Sequence, residues 1–418
     1  MNKSFEKYLS MKNLYIILTP TIKFVGGAQI YSLNKLHYYE RKGWETKLFH
    51  ANLPGEIIIE EMNKFEANYL DEFKFFPFNL TKKKAESVIF DLIRKHHLNE
   101  YHSVIIESHN PETALWGELM AEKLQAKHFV FLLSEFPKIK PSSLYDFYDM
   151  KLSRGELAGI ADTSIQILFD GYKKVDGHNY SLIAYCSNSL GHPNIKKMPT
   201  FNKYDYLLCS IGRMEKPYLL DAVEGVVDFA LLHQNFKIAL LFIGDGDEGS
   251  KNKIKEKLLK ANNIQFKITG PIYPIPINLI EKVNLCFGVA GACNVSHMLG
   301  KLTVSFDVND HKPIGIYGIT TENDTYRNIN EPKLIFSDLL DDILVNNKYR
   351  ENPINVDVDA LNAINFKSHE EFIFKSASTK EYFNIFNIKL NNREFFKKLL
   401  IGFLGINMLF HLKNNFLK

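Results

Sequence analysis

Cysteine is scarce, with four residues (Cys186, Cys209, Cys286 and Cys293) in a chain of 418. They build no dense disulfide framework and none sits in a C-x-x-C pair with histidines at zinc spacing, which excludes a disulfide-stapled secreted module and a structural zinc fold. A reducing compartment is expected. Long apolar runs are missing too: nowhere do about 18 uninterrupted apolar residues announce a spanning helix. The opening MNKSFEKYLSMKN lacks the apolar stretch of a secretory signal, so the expected location is cytoplasmic. Charge of one sign is not in excess, since 51 Lys and Arg stand against 48 Asp and Glu and leave +3, too little to argue for a nucleic-acid partner.

What is present is a foldable balance of 45% hydrophobic and 24% charged residues. At roughly 150 residues per domain the length fits two or three domains. Residues 13–19 (NLYIILT) are a β-rich apolar run, followed by a loop ending in Gly26-Gly27, an apolar-periodic segment over 28–41, and a second β-rich run at 45–50 (ETKLFH). That order reads as strand, glycine loop, helix and strand, a βαβ unit and hence a parallel sheet. The rhythm repeats with strands at 103–107 (SVIIE) and 128–133 (HFVFLL) around a helix over 112–124 opened by Pro111. Residues 187–205 are polar and broken by Gly and Pro, the composition of a connection between domains. Beyond it, strands are expected at 206–211, 237–243, 264–268, 284–288 and 303–307, with helices over 219–232 and 251–261. The expected fold is therefore α/β, with two Rossmann-like doubly wound domains facing a central cleft. Their expected bounds are 1–199 and 200–378, with a crossing helix and a basic tail over 379–418.

Several landmarks carry a family resemblance. The stretch GGAQIYSLNKLHYYERKGWETKLF, starting at Gly26, resembles the opening of glycosyltransferase family 4, whose members have the GT-B fold. Residues 207–216 (LLCSIGRMEK) are similar to the strand, Gly-Arg and nearby Lys that the family sets against a donor diphosphate, which assigns Arg213 and Lys216. An Arg fork and a Lys point charge past a strand end can neutralise a leaving diphosphate. Residues 240–246 (LLFIGDG) resemble the strand ending in Gly-Asp-Gly and assign Gly244 to the donor side. Asp245-Gly246-Asp247 belongs to that turn and not to a metal-binding D-x-D, so no metal and no separate cofactor are expected beside the nucleotide-sugar donor.

The resemblance breaks at the donor loop. Members usually carry two glutamates eight positions apart, and here Phe287 and Val295 stand in their place. A Gly-Ala-rich turn (Gly288, Gly291, Ala292) enters a helix carrying Asn294 and Ser296, and exposed N–H groups at a helix start suit a diphosphate. Gly26 and Gly27 could hold an anion in the same manner. In the first domain, His109 at a strand end and Glu135 in the loop after the next strand are the candidates for acceptor binding or proton handling. Residues 307–313 (DVNDHKP) read as a solvated loop.

The tail carries the charge. Residues 391–418 hold five basic residues against one acidic, leaving the other 390 at −1, and residues 399–412 (LLIGFLGINMLFHL) have no formal charge with His411 neutral. Such a segment is too short to span a bilayer and fits an interfacial helix. The resemblance and the tail together imply a glycosyltransferase that moves a sugar from a nucleotide-sugar to a glycan or lipid-linked acceptor. The setting would be cell-surface polysaccharide, lipopolysaccharide or glycolipid synthesis, at the inner face of the cell membrane and without nucleic acid. A non-catalytic GT-B homologue and a nucleotide-sugar epimerase are the alternatives that the missing glutamates leave open.

Overall fold

The computed structural model describes residues 12–134, 137, 142–184, 190–193, 199–350, 358–376, 381–406 and 408. The chain divides into two compact units. One comprises Met1–Phe24, Tyr31–Ala184 and Asn362–Lys418, the other Val25–Ile30 and Tyr185–Leu361. The crossings thus fall at Ala184/Tyr185 and Leu361/Asn362, against the 199 and 378 expected from composition.

The first unit is built from β1 (Asn13–Thr19), α1 (Gly27–Arg41) from Tyr31 onward, β2 (Glu45–His50), α2 (Lys82–Lys95), β3 (Ser103–Ser108), α3 (Pro111–Leu124), β4 (Lys127–Leu132), α4 (Tyr145–Ser153), β5 (Leu157–Gly159) and α5 (Asp162–Leu168). Its sheet runs β2-β1-β3-β4-β5, with every pairing parallel. Strands buried on both faces need continuous apolar sequence, and β1 is buried at every residue after Asn13. Pro111 at the first turn and Asn110 as N-cap, its side chain accepting from Thr113 N at 3.2 Å, fix where α3 begins.

The second unit holds a short pair, β6 (Leu190–Gly191) with β10 (Ile275–Pro276), and a six-stranded sheet. The sheet comprises β7 (Tyr206–Ile211), β8 (Ile238–Ile243), β9 (Ile264–Ile268), β11 (Leu285–Gly288), β12 (Thr303–Phe306) and β13 (Pro313–Ile316), in the order β13-β12-β11-β7-β8-β9. Only β13 is antiparallel. Its helices are α6 (Tyr218–Leu232), α7 (Glu248–Leu258), α8 (Ile277–Ile280), α9 (Gly291–His297) and α10 (Phe336–Leu340). Leu240, Leu285 and Val304 from the strands meet Val223 and Val226 of α6 and Phe336 of α10 in one buried core.

Two further helices follow, α11 (Val358–Lys375) and α12 (Asn392–Leu404). From Asn362 onward they belong to the first unit, where Ile385, Ile388 and Ile401 join its core. The return into that unit is made within α11, ahead of the crossing helix expected after residue 378. The buried side of α11 is partly polar, with Asn362, Asn365 and His369 turned inward, and a polar inner face hides a helix from any hydrophobic periodicity.

Candidate functional site

In a doubly wound sheet the strand order reverses where the loops at the carboxyl ends of two neighbouring strands diverge, and that switch point leaves a crevice for ligands. The first sheet reverses between β1 and β3, the second between β7 and β11. The candidate residues distribute onto these two points.

In the second unit, the chain leaving β7 forms a turn stitched to the one leaving β8. Gly212 N donates to Ile243 O at 2.9 Å, Met214 N to Asp245 O at 3.0 Å, and Asp247 N to Glu215 Oε1 at 2.9 Å. The approach is so close that a Cβ on Gly244 would lie 2.0 Å from the Gly212 carbonyl oxygen, and Gly244 also has φ +147°. Only glycine satisfies both demands. The double turn leaves the Arg213 guanidinium exposed and without an ion-pair partner among the described residues. Lys216 is half-buried, and its ammonium lies 3.7 Å from where a Cβ on Gly212 would stand. The two acids of the turn have local partners. Asp245 accepts from Gly246 N and Lys251, which holds its carboxyl below the usual range, and Asp247 caps α7 through Ser250 N. Among the described residues no group of three or more His, Cys, Asp or Glu is arranged to hold a metal ion.

Across the switch point, β11 ends at Gly288, where an added Cβ would stand 3.0 Å from the Ala292 side chain. Ala290 then takes φ +50° to turn the chain into α9, a conformation unusual for a residue with a Cβ, and a Cβ on Gly291 would meet open space. Asn294 is committed within the protein, its Nδ2 donating to Asp324 Oδ2 at 2.9 Å and its Oδ1 accepting from Tyr317 at 3.0 Å. Ser296 does not face the loop, contrary to expectation. It is fully buried in the next turn, donating to Ala292 O and accepting from Thr303 at 2.8 Å. Phe287 and Val295 are core residues, packed in separate clusters on the two faces of the sheet. Asp307 is not solvated either, because its buried carboxylate accepts from the backbone N–H groups of Asn309, Asp310 and Arg327.

In the first unit, His109 follows β3 at the β1/β3 switch point, and its backbone N donates to Leu18 O at 3.2 Å. Glu107, two residues earlier and fully buried, organises the surroundings. It accepts from Tyr15, from Tyr31 at 2.8 Å and from His109 Nε2 at 2.9 Å, with Lys35 Nζ 3.8 Å away. Burial opposes its ionisation, but Lys35 and these donors outweigh burial and hold its pKa at about 2. Nε2 of His109 therefore carries the proton it donates, and Nδ1 is buried without a hydrogen-bond partner among the described residues. Gly26 and Gly27 open α1. Gly26 O accepts from Gln29 N and Ile30 N, neither glycine has a positive φ, and a Cβ on Gly27 would meet nothing, so the backbone itself does not require these glycines. Glu135 lies outside the described residues.

One arrangement escaped the sequence reading altogether. Ser108 Oγ donates to His128 Nε2 at 3.0 Å, and His128 Nδ1 donates to Glu118 Oε2 at 2.7 Å, the order of a Ser-His-Glu relay. All three are buried, Lys151 pairs with Glu118 at 2.5 Å, and burial lowers the His128 pKa to about 4. No substrate reaches the serine, so the relay is a strut between β3, α3 and β4. Gly117 makes room for it, since a Cβ there would lie 2.4 Å from Ser108 Oγ.

Neither a family model nor a curated protein matches the sequence. Among solved structures the chain is similar to a glycosyltransferase from Rickettsia africae ESF-5, with 16% identity, 88% of this chain and 100% of that chain covered, and a TM-score of 0.57. It is also similar to Anabaena Alr3699/HepE, solved with UDP and glucose, with 12% identity, coverage of 87% and 100%, and a TM-score of 0.52. At such identities the likeness establishes the fold. The chain has two Rossmann-like domains of the GT-B class.

Proposed function

We propose that this protein is a glycosyltransferase that moves a sugar from a nucleotide-sugar donor to a glycan or lipid-linked acceptor in cell-surface polysaccharide or glycolipid synthesis. One observation carries the reading: a free Arg213 guanidinium and the Lys216 ammonium sit on a rigid glycine-built turn at the β7/β11 switch point. Across from them the Gly288–Ala292 turn carries little side chain, but its Ala290 and Ala292 N–H groups are spent on Asp324 O and Val289 O, so the diphosphate charge falls to Arg213 and Lys216. A leaving diphosphate gains charge as the glycosidic bond breaks, and two fixed cations stabilise that charge more than they stabilise the bound donor. Charge neutralisation by Arg213 and Lys216 makes the transfer metal-independent in this proposal. The similar Anabaena protein was solved with UDP and glucose, which makes a UDP-sugar the first donor to try.

In the first domain, His109, its ring fixed by Glu107 at Nε2, is proposed to serve acceptor binding or proton handling. Glu135 is proposed as the second polar group on that side, from its place after β4 in the sequence. The observation favouring a non-catalytic relative is that Phe287 and Val295 are buried core, leaving the donor sugar without those two carboxylates. Release of nucleotide from a panel of UDP- and GDP-sugars, with and without membrane lipid extract, separates the readings. Acceptor-dependent release that Arg213→Ala abolishes is the expected result, and no release from any donor would leave the binding role standing.

A further inference from the structure

Amphipathic helices on a protein surface turn their apolar side inward, and α12 does the reverse. Phe396, Leu399, Leu400 and Phe403 recur at the i, i+3, i+4, i+7 spacing of one helical face, and they are 65%, 45%, 43% and 90% exposed. The opposite face holds Glu394 and Ile401, each 6% exposed, with Lys397 and Lys398 between them. That inner face is latched by polar contacts: buried Asn79 donates to Glu394 Oε2 at 2.8 Å, and Lys397 Nζ lies 5.4 Å and 5.6 Å from the ring centroids of Phe75 and Phe76. The helix is thus held by Glu394, Lys397 and the core residue Ile401, and presents the four-residue apolar stripe outward.

Cations lie around this helix. Arg393 adjoins the stripe, three and seven residues before Phe396 and Leu400, while Lys84 and Lys398 line one cavity of about 660 Å³ on the inner side beside Ile401, and Lys84 closes the run Lys82-Lys83-Lys84 that opens α2. Three lysines in a first turn oppose the helix dipole, and that turn contains no acidic residue. All three are exposed, as is Arg393, and none of these four makes an ion pair among the described residues. Asp71 and Glu72 line the same cavity, but Asp71 is paired with Lys74 at 2.6 Å. An outward apolar stripe with cations around its helix that make no ion pair among the described residues, in a helix too short and too polar to cross a bilayer, matches the chemistry of an anionic membrane surface.

The geometry points to α12 as an in-plane anchor on a bilayer rich in anionic lipid. Phe396, Leu399, Leu400 and Phe403 enter the acyl boundary, while Lys82, Lys83, Lys84 and Arg393 meet the headgroups. It also narrows the acceptor to a lipid-linked one presented from that bilayer. The docking stands without the transferase reading, whereas the acceptor class rests on it.

The test is co-sedimentation of the full chain with phosphatidylcholine vesicles and with vesicles of phosphatidylcholine and phosphatidylglycerol. The wild type is expected to bind the anionic vesicles and to release as ionic strength rises. Phe396→Ser with Phe403→Ser is expected to weaken binding at least about tenfold, because each removes an aromatic ring from the acyl boundary. Lys82→Gln, Lys83→Gln and Lys84→Gln together remove the salt-sensitive part, and Leu232→Ser, at an exposed apolar residue of the other unit, leaves binding unchanged. All the substituted side chains are exposed, so an unchanged melting temperature checks that each variant folds. No binding to anionic vesicles, or binding that the double phenylalanine variant leaves intact, overturns the proposal. So does a wild-type dimer that this variant dissociates without any vesicle binding, because the occupant is then a second copy. A nucleotide-induced melting shift read in parallel keeps the two ideas apart: a shift retained without vesicle binding sinks the docking alone, and docking retained without a shift sinks the transferase reading alone.

Discussion

Glu107 carries a full charge inside the first sheet because Lys35, Tyr15, Tyr31 and His109 surround it, and removing it exposes what that arrangement costs. Glu107→Gln takes away the carboxylate facing a buried ammonium and is expected to lower stability by about 3–5 kcal/mol. Adding Lys35→Met to it is expected to recover part of that loss, and urea unfolding of the single and double variants reads the difference. The same residues set an acid limit. Glu107 and Glu118 keep pKa values of about 2 in the fold against an ordinary 4.5, so the unfolded chain binds more protons and stability falls as pH drops from about 4.5 towards 2. His128 and His369 act in the same direction from higher pH: burial holds them at about 4 and about 3 against an ordinary 6.5, so the unfolded chain protonates first. The melting temperature is expected to decline continuously below about pH 6.5, steepening below about 4.5. A plateau down to pH 4 would contradict this.

At the scale of elements, the strands were legible because parallel strands buried on both faces must be continuously apolar, as β8 (IALLFI) is. Several elements were not legible, three of them for identifiable reasons. β5 is only Leu157–Gly159, β13 is an antiparallel edge strand interrupted by Gly315, and α11 turns Asn362, Asn365 and His369 inward. The backbone geometry of the candidate site was legible where glycine punctuates it, as at Gly244 and Gly288. Side-chain pairing was illegible where partners come from distant sequence, as with Glu107 and Lys35 or with Ser108, Glu118 and His128. Gly244→Ala is expected to cost about 3 kcal/mol or more, since the added Cβ meets backbone at 2.0 Å and cannot be accommodated by a side-chain rotation. Phe287→Glu tests the donor loop from the other side. Because Phe287 is 1% exposed, the substitution is expected to unfold the second unit, and not to supply a carboxylate to a donor, by burying a charge without a partner. Thermal melting with and without nucleotide distinguishes the two results.

At the scale of the whole molecule, each unit carries its own switch point, and the chain commits cations and glycines to one and a buried His–Glu pair to the other. The GT-B fold, read from two runs of βα alternation and a Gly-Arg turn, accommodates this division. Arg213 and Lys216 are proposed to hold the diphosphate of a nucleotide. A thermal-shift panel of UDP, GDP, CMP and ADP on the full chain in mild detergent, run beside Arg213→Ala, decides whether they do. A ligand at a hundredfold excess over its dissociation constant adds about 2.7 kcal/mol of stability, which is readily visible as a melting shift. The expected result is that at least one nucleotide raises the melting temperature of the wild type while Arg213→Ala, folded because its side chain is exposed, gives no shift. A folded wild type that none of the four nucleotides stabilises, or an Arg213→Ala variant that keeps the full shift, would contradict it.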